Sequence, residues 1–235
     1  TATPVGQAAP AKIPASGPPA PVIPLTPPIE NLQPLWAELP TDINNTWREL
    51  APDWKLPANS ADPCQTAEAQ GLQCYRASKL TIPLLRQLNR PGILTLQAAT
   101  GPAVYAMLEG LSDQTATLRI AGRSHSVRVI ELAQFWRGDF ATYWQAPPAY
   151  SAGLQDGSSG PAIDWLAKRL SQLDGLASSG SENTPLTLDP ALRERVRAFQ
   201  RARGITPDGR PGPMTFMQIE SATQSQLPHL LTNAR

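Results

Sequence analysis

The order of elements along this 235-residue chain predicts an α+β fold, with a small all-α unit of three helices after it. Three observations carry that prediction. Short helical patterns come first, opened by Thr41-Asp42 and stopped at Gly71 and at Asn89-Arg90-Pro91-Gly92. Strand-like runs separated by turn dipeptides follow, read as antiparallel strands after the helices. Near the end, Val196 to Ile219 reads as a helix, a tight turn, a rigid Gly/Pro loop and a second helix.

Residues 1–34 stand apart, with ten of the chain's 26 prolines and only Lys12 and Glu30 as charges. Such a segment cannot bury enough apolar area to offset its ordering entropy, and proline keeps it extended. It reads as a spacer, with a reach on the order of 100 Å at ~3.1 Å per residue. A spacer opening at Thr1 suggests a piece of a longer protein, tethered upstream by something such as a membrane anchor. The net charge of +1 gives no global case for nucleic acid or an acidic partner. Residues 190–235 differ locally, with seven Arg against Glu194, Asp208 and Glu220. No apolar run approaches the ~20 residues of a membrane span, and no signal-peptide pattern is present.

From Leu35 the composition changes, and Trp36, Trp47 and Trp54 arrive close together. Thr41-Asp42 can cap a helix to about Leu50, and Ala61 to Gln70 is a second, ended by Gly71. Leu72 to Arg76 reads as a strand and Lys79 to Leu88 as a helix. Four strand-like runs follow: Ile93 to Gln97, Val104 to Leu108, Thr115 to Ile120 and Ser126 to Ile130. Gly101-Pro102, Ser112-Asp113 and Ala121-Gly122 separate them. Glu131 to Trp136 is a helical turn or two, and Phe140 to Gln145 is a last strand before Pro147-Pro148. Together these define an expected unit over residues 35–150.

After a Gly/Ser break at Gly153 to Gly160, Ala162 to Leu173 is amphipathic, with Ile163, Leu166, Leu170 and Leu173 on one side. Gly175 to Asn183 is a flexible loop, and Leu188 to Arg203 a further helix with Leu192, Val196 and Phe199 as its stripe. Gly204 sits at a C-cap position, Pro207-Asp208-Gly209 makes a turn, and Thr215 can satisfy amides opening the next helix. Phe216 and Ile219 then face the stripe, and Phe199 and Phe216 read as core.

Phe199-Gln200, Gly204-Ile205, Asp208-Gly209, Gly212-Pro213, Thr215 and Ile219 together resemble the peptidoglycan-binding domain of bacterial wall enzymes. The resemblance implies a three-helix domain over residues 155–235 that docks on the cell wall. Stem-peptide carboxylates suit arginine, which makes Arg197, Arg201 and Arg203 candidates. Gln200, Asp208, Arg210 and Thr215 complete the candidate set. The alternative stays open that the arginines are the solvated face of an amphipathic helix and that Asp208, Gly209 and Gly212 only shape the loop.

Residues 61–147 resemble the bacteriocin-processing cysteine peptidases. Gly71-Leu72, Leu85, Leu88, Arg90-Pro91-Gly92-Ile93-Leu94, the strand Val104 to Leu111, Glu131-Leu132 and Phe135 carry the likeness. Those peptidases need a thiolate at a helix start, a histidine opening a central strand and an orienting Asp. The matching positions hold Val104 and Arg119, and no cysteine precedes Cys64. The resemblance therefore implies a peptidase-like domain with no catalytic residues. His125 reads as a solvated loop residue and His229 as exposed; neither has metal-ligand spacing, so no metal or cofactor is expected. Cys64 and Cys74 are either a local disulfide or two buried thiols, and a wall module in the same chain favours the disulfide.

The order of spacer, peptidase-like domain and peptidoglycan-binding domain resembles the periplasmic region of the general secretion pathway protein A family. Ala67 through Asn89-Arg90-Pro91 to Trp144 is the most telling part, within a likeness covering Leu35 to Leu231. It implies a non-enzymatic periplasmic assembly factor of type II secretion, tethered to the inner membrane by a segment outside this chain, with an ATPase domain upstream. The partners implied are peptidoglycan, a B-type secretion protein and possible contacts with the secretin or a second copy; none is nucleic acid. Two rivals come from other classes: a wall-targeted hydrolase or peptidase, and a protein-only scaffold whose binding module has lost its ligand.

Overall fold

The computed structural model describes residues 27–175, 186–223 and 226–231. Most of the expected spacer and most of the loop from Gly175 to Asn183 lie outside the described residues.

Helix α1 (Ile43–Leu50) starts where Asp42 accepts from the Asn44 amide at 3.0 Å. Helix α2 (Pro63–Ala69) repeats the device, with Asp62 accepting from Cys64 and Gln65. Strand β1 (Leu72–Ala77) leads to α3 (Ile82–Leu88), which Thr81 caps and Asn89 ends in the left-handed region. Strands β2 (Gly92–Leu96), β3 (Val104–Leu111), β4 (Thr115–Ile120) and β5 (Arg123–Arg128) follow, then α4 (Val129–Phe135) and β6 (Trp136–Gln145). The sheet order is β1-β6-β2-β3-β4-β5, with every pair antiparallel. Helices α5 (Pro161–Leu173), α6 (Pro190–Ala202) and α7 (Pro213–Thr223) complete the α+β architecture.

Strand alternation sorts side chains onto two faces of the sheet. Ile93, Met107, Ala141 and Tyr143 pack with Trp47, Leu50, Trp54 and Ala67, so α1, α2 and the 3-10 turn Ala51–Trp54 cover one face. Leu94, Leu96, Leu108, Phe140 and Trp144 belong to a second cluster with Leu85 and Leu88 of α3. That cluster runs on without a break into Ile163, Leu166, Val196, Phe216 and Ile219 of α5, α6 and α7. Edge-on ring contacts of Trp144 with Tyr150 and of Tyr150 with Phe216, at 5.2 and 5.4 Å, carry it across.

Several local expectations shift. β5 begins at Arg123 rather than Ser126, because Ala121 and Gly122 turn at positive φ and Val129-Ile130 open α4. His125 consequently lies half-buried in β5, opposite Leu118, and not in a loop. His229 is also half-buried, its Nδ1 3.3 Å from the Asn89 carbonyl oxygen. Leu32, in the stretch read as spacer, is fully buried, and its amide donates to Glu131 at 3.0 Å. Thr215 lies inside the first turn of α7 rather than capping it, and Phe199 is half-buried. The disulfide expectation holds: Cys64 and Cys74 are bonded, with Cα atoms 5.5 Å apart, tying α2 to β1.

Candidate functional site

The loop between α6 and α7 is organised by one buried amide. Gln200, 2% exposed, ends the inward face of α6. Its Nε2 donates to Asp208 Oδ1 and to the Arg210 carbonyl, each at 3.0 Å, and lies 3.2 Å from Thr215 Oγ1. Its Oε1 accepts from the Gly209 amide at 2.8 Å. Asp208 Oδ1 also accepts from the Arg210 amide at 2.8 Å, an Asx turn inside the loop. Gly204, at φ 62°, lets the chain leave α6 in the left-handed region. The Phe199-Gln200 and Asp208-Gly209 signals are thus one hydrogen-bonded knot.

This knot forms one wall of a groove of about 360 Å³. Gln200, Asp208, Arg210 and Thr215 from the sequence-derived set all line it. Arg197, Arg201 and Arg203 do not. Arg197 and Arg201 reach Glu194 at 3.2 and 3.6 Å, and the Arg203 guanidinium lies 5.4 Å over the Phe199 ring. Arg197 also packs against the Gly209 backbone, and Arg201 is exposed on α6, while Arg203 lies just past its end.

The opposite wall comes from the sheet unit. Tyr75 and Ala77 of β1, Ser78 after it, and Leu80 and Leu84 near and on α3 close the groove. Burial, and then the neighbouring Tyr150, push the Tyr75 phenol above its ordinary range, so it stays a neutral donor and acceptor. Nothing in the local sequence marks Tyr75 or Ser78 as site residues, because no turn, cap or periodic pattern depends on them. Only the fold sets them opposite a loop more than a hundred positions away.

A second cavity, of about 240 Å³, lies beside Asp53, Glu109, Arg119 and His229. Arg119 is ion-paired with Glu109 and lies 3.8 Å from Asp53. Val104 is 3% exposed and has no group that takes a proton. Burial raises the carboxyls of Glu49 and Asp53 despite Arg119. Among the described residues, no three His, Cys, Asp or Glu side chains are grouped to hold a metal ion.

Comparison with known proteins supplies the family context. Residues 159–219 match the family described as "Putative peptidoglycan binding domain". Over 167 residues the chain is 27% identical to general secretion pathway protein A of Aeromonas hydrophila. The alignment covers 71% of this chain and 30% of that protein's length. In fold, the chain is similar to the crystal structure of a periplasmic domain of the EpsAB fusion protein of the Vibrio vulnificus type II secretion system. The TM-score is 0.50 at 23% identity, covering 83% of this chain and 94% of that one.

Proposed function

We propose that this relative of the periplasmic region of general secretion pathway protein A is a non-enzymatic, wall-binding assembly factor of type II secretion. The observation that carries the proposal is the match of residues 159–219 to a peptidoglycan-binding family, with four candidate residues converging on one groove. Residues 155–235 hold the wall, and the sheet unit over residues 35–150 supplies protein contacts. Through those contacts the chain helps place the secretin in or across the wall, together with a B-type partner.

Three features support this reading. The disulfide suits the oxidising periplasm. No helix among the described residues is long and apolar enough to cross a membrane. The positions that would need a base and its orienting acid hold Val104 and Arg119, and a hydrocarbon and a guanidinium cannot exchange protons near neutral pH.

The test is co-sedimentation of the 235-residue chain with purified wall sacculi, with and without the B-type partner. The chain pellets alone, and the partner pellets only in its presence. A chain that stays in the supernatant overturns the wall-binding reading. Solubilised fragments released from the sacculi during incubation overturn the non-enzymatic one.

A further inference from the structure

We infer that residues 226–231 are a displaceable strap on a strand-pairing seat, and that the seat takes an extended, basic segment of a partner protein. This rests on the reading that the sheet unit supplies protein contacts, and it names a place and a partner chemistry for them. The seat lies beside the cavity at Asp53 and shares no lining residue with the groove of the α6–α7 loop.

The seat follows from where β2 begins. Gly92 is the first β2 residue paired with β3, opposite Leu108, while β3 runs on to Leu111. Pro91 has no amide hydrogen with which to extend that ladder. The edge of β3 past Leu108 is therefore left to another strand, and the end of the strap takes it. The Leu231 amide donates to the Glu109 carbonyl at 2.7 Å, in a parallel bridge beside Gly110. Gly110 is what admits this approach, since a Cβ there would lie 2.8 Å from the Leu231 carbonyl oxygen.

The strap is held lightly. Leu230 is its buried anchor, 6% exposed, whereas Leu231 beside it is 47% exposed. His229 adds polar contacts to Asn89. Among the described residues, one backbone hydrogen bond joins the strap to the sheet. A short segment held by so few bonds opens at far less cost than the whole fold.

Charge selects the occupant. A cavity of about 240 Å³ lies between strap and sheet, lined by Pro228, His229 and Leu231 on one side and by Asp53, Glu109 and Arg119 on the other. Two carboxylates share the single guanidinium of Arg119. Burial keeps the Asp53 carboxyl raised despite Arg119, so the cavity is short of positive charge. The strap brings only His229 to it. A lysine or arginine at that place in a partner segment supplies the missing charge, while the partner's backbone reuses the Glu109 carbonyl. Backbone bonds then give affinity and the side-chain cavity gives specificity, as in recognition by strand addition.

The experiment uses the whole chain and two end-capped peptides, one with the sequence of residues 226–231 and one that also carries His229→Lys. In the wild-type chain, the Leu231 amide exchanges at least about tenfold faster than the β2 and β3 amides, through local opening. Leu230→Asn removes the anchor and strengthens binding of both peptides at least about tenfold, because the competing strap has left. The opened chain binds the lysine peptide at least about tenfold more tightly than the other, and Asp53→Asn removes that preference. Gly110→Ala in the opened chain abolishes binding of both. Thermal melting confirms that each variant is folded. A Leu231 amide that exchanges only with global unfolding overturns the displaceable strap. Peptides that gain nothing from Leu230→Asn, or that still bind after Gly110→Ala, overturn the seat. Equal binding of the two peptides overturns the basic partner and leaves the strap of a second copy as the occupant. Whether the B-type partner pellets with the chain is read separately, which tells failure of the protein-contact reading apart from failure of this inference.

Discussion

The guanidinium of Arg90 and the carboxylate of Glu220 lie 3.7 Å apart with side chains only 1% and 3% exposed, joining the sheet unit to α7. The Arg90 guanidinium also lies 5.8 Å over the Trp54 ring, so one side chain touches both layers that enclose the sheet. Breaking such a pair from one side leaves a charge buried without its partner. Arg90→Met is therefore expected to destabilise the fold by about 3–5 kcal/mol, and Arg90→Met with Glu220→Leu by much less. Urea unfolding of the two variants beside wild type checks the contrast; equal losses would remove the pairing as the cause.

Burial raises Glu220 from its ordinary 4.5 to about 7, against the pull of Arg90 and of Arg169 on α5. A carboxyl raised on folding binds its proton more tightly in the folded state. Its effect on stability is thus greatest at low pH and is lost as the pH rises from about 4.5 to about 7. Glu49 and Asp53 are raised as well and act in the same direction at their own titrations, so the difference between wild type and Glu220→Gln isolates this residue. Melting temperatures from pH 4.5 to 8 are expected to fall with pH more steeply in wild type than in the variant. Parallel curves would sink the assignment.

The disulfide closes a short loop, with a sequence separation of 10 between Cys64 and Cys74. Chain-entropy arguments give such a crosslink about 3 kcal/mol of stability. Reduction, or Cys64→Ser with Cys74→Ser, lowers stability by that amount and frees α2 from β1. Because β1 forms one wall of the groove, sacculus binding weakens in the reduced chain before global unfolding sets in. Melts and co-sedimentation with and without reductant read both effects.

Gln200 answers four polar partners from a position 2% exposed. Gln200→Ala strands the buried Gly209 amide and is expected to cost about 1–3 kcal/mol. Hydrogen exchange at Gly209 accelerates, and sacculus affinity falls through loss of loop order. Unchanged protection at Gly209 would show that the amide is held by something else.

Much of the fold is legible locally. Asp42 and Asp62 cap helices, Asn89 and Gly204 end them, and Ala121-Gly122 turns between strands, all from physics contained in three or four consecutive residues. Alternation marked the strands but not their ends, since Val129-Ile130 suits a strand and tertiary packing placed it in a helix. Of the candidate residues, Gln200, Asp208 and Thr215 belong to the spacing that marks the loop, and the structure sets them with Arg210 along one groove. Arg197, Arg201 and Arg203 are candidates by charge, and the structure sets Arg197 and Arg201 beside Glu194 and Arg203 over the Phe199 ring.

By itself, the sequence determined the caps and turns, the order of helices and strands, and the Gly/Pro loop after α6, because each depends on short-range geometry. Only the tertiary structure decided that Arg90 meets Glu220, that Leu32 and His229 are drawn into the folded body, and that Tyr75 and Ser78 face Asp208 and Arg210. Those relationships follow from where α7 seats against α3 and the sheet. That seating is fixed by the packing of one shared apolar cluster, to which distant parts of the chain contribute and which no single stretch specifies.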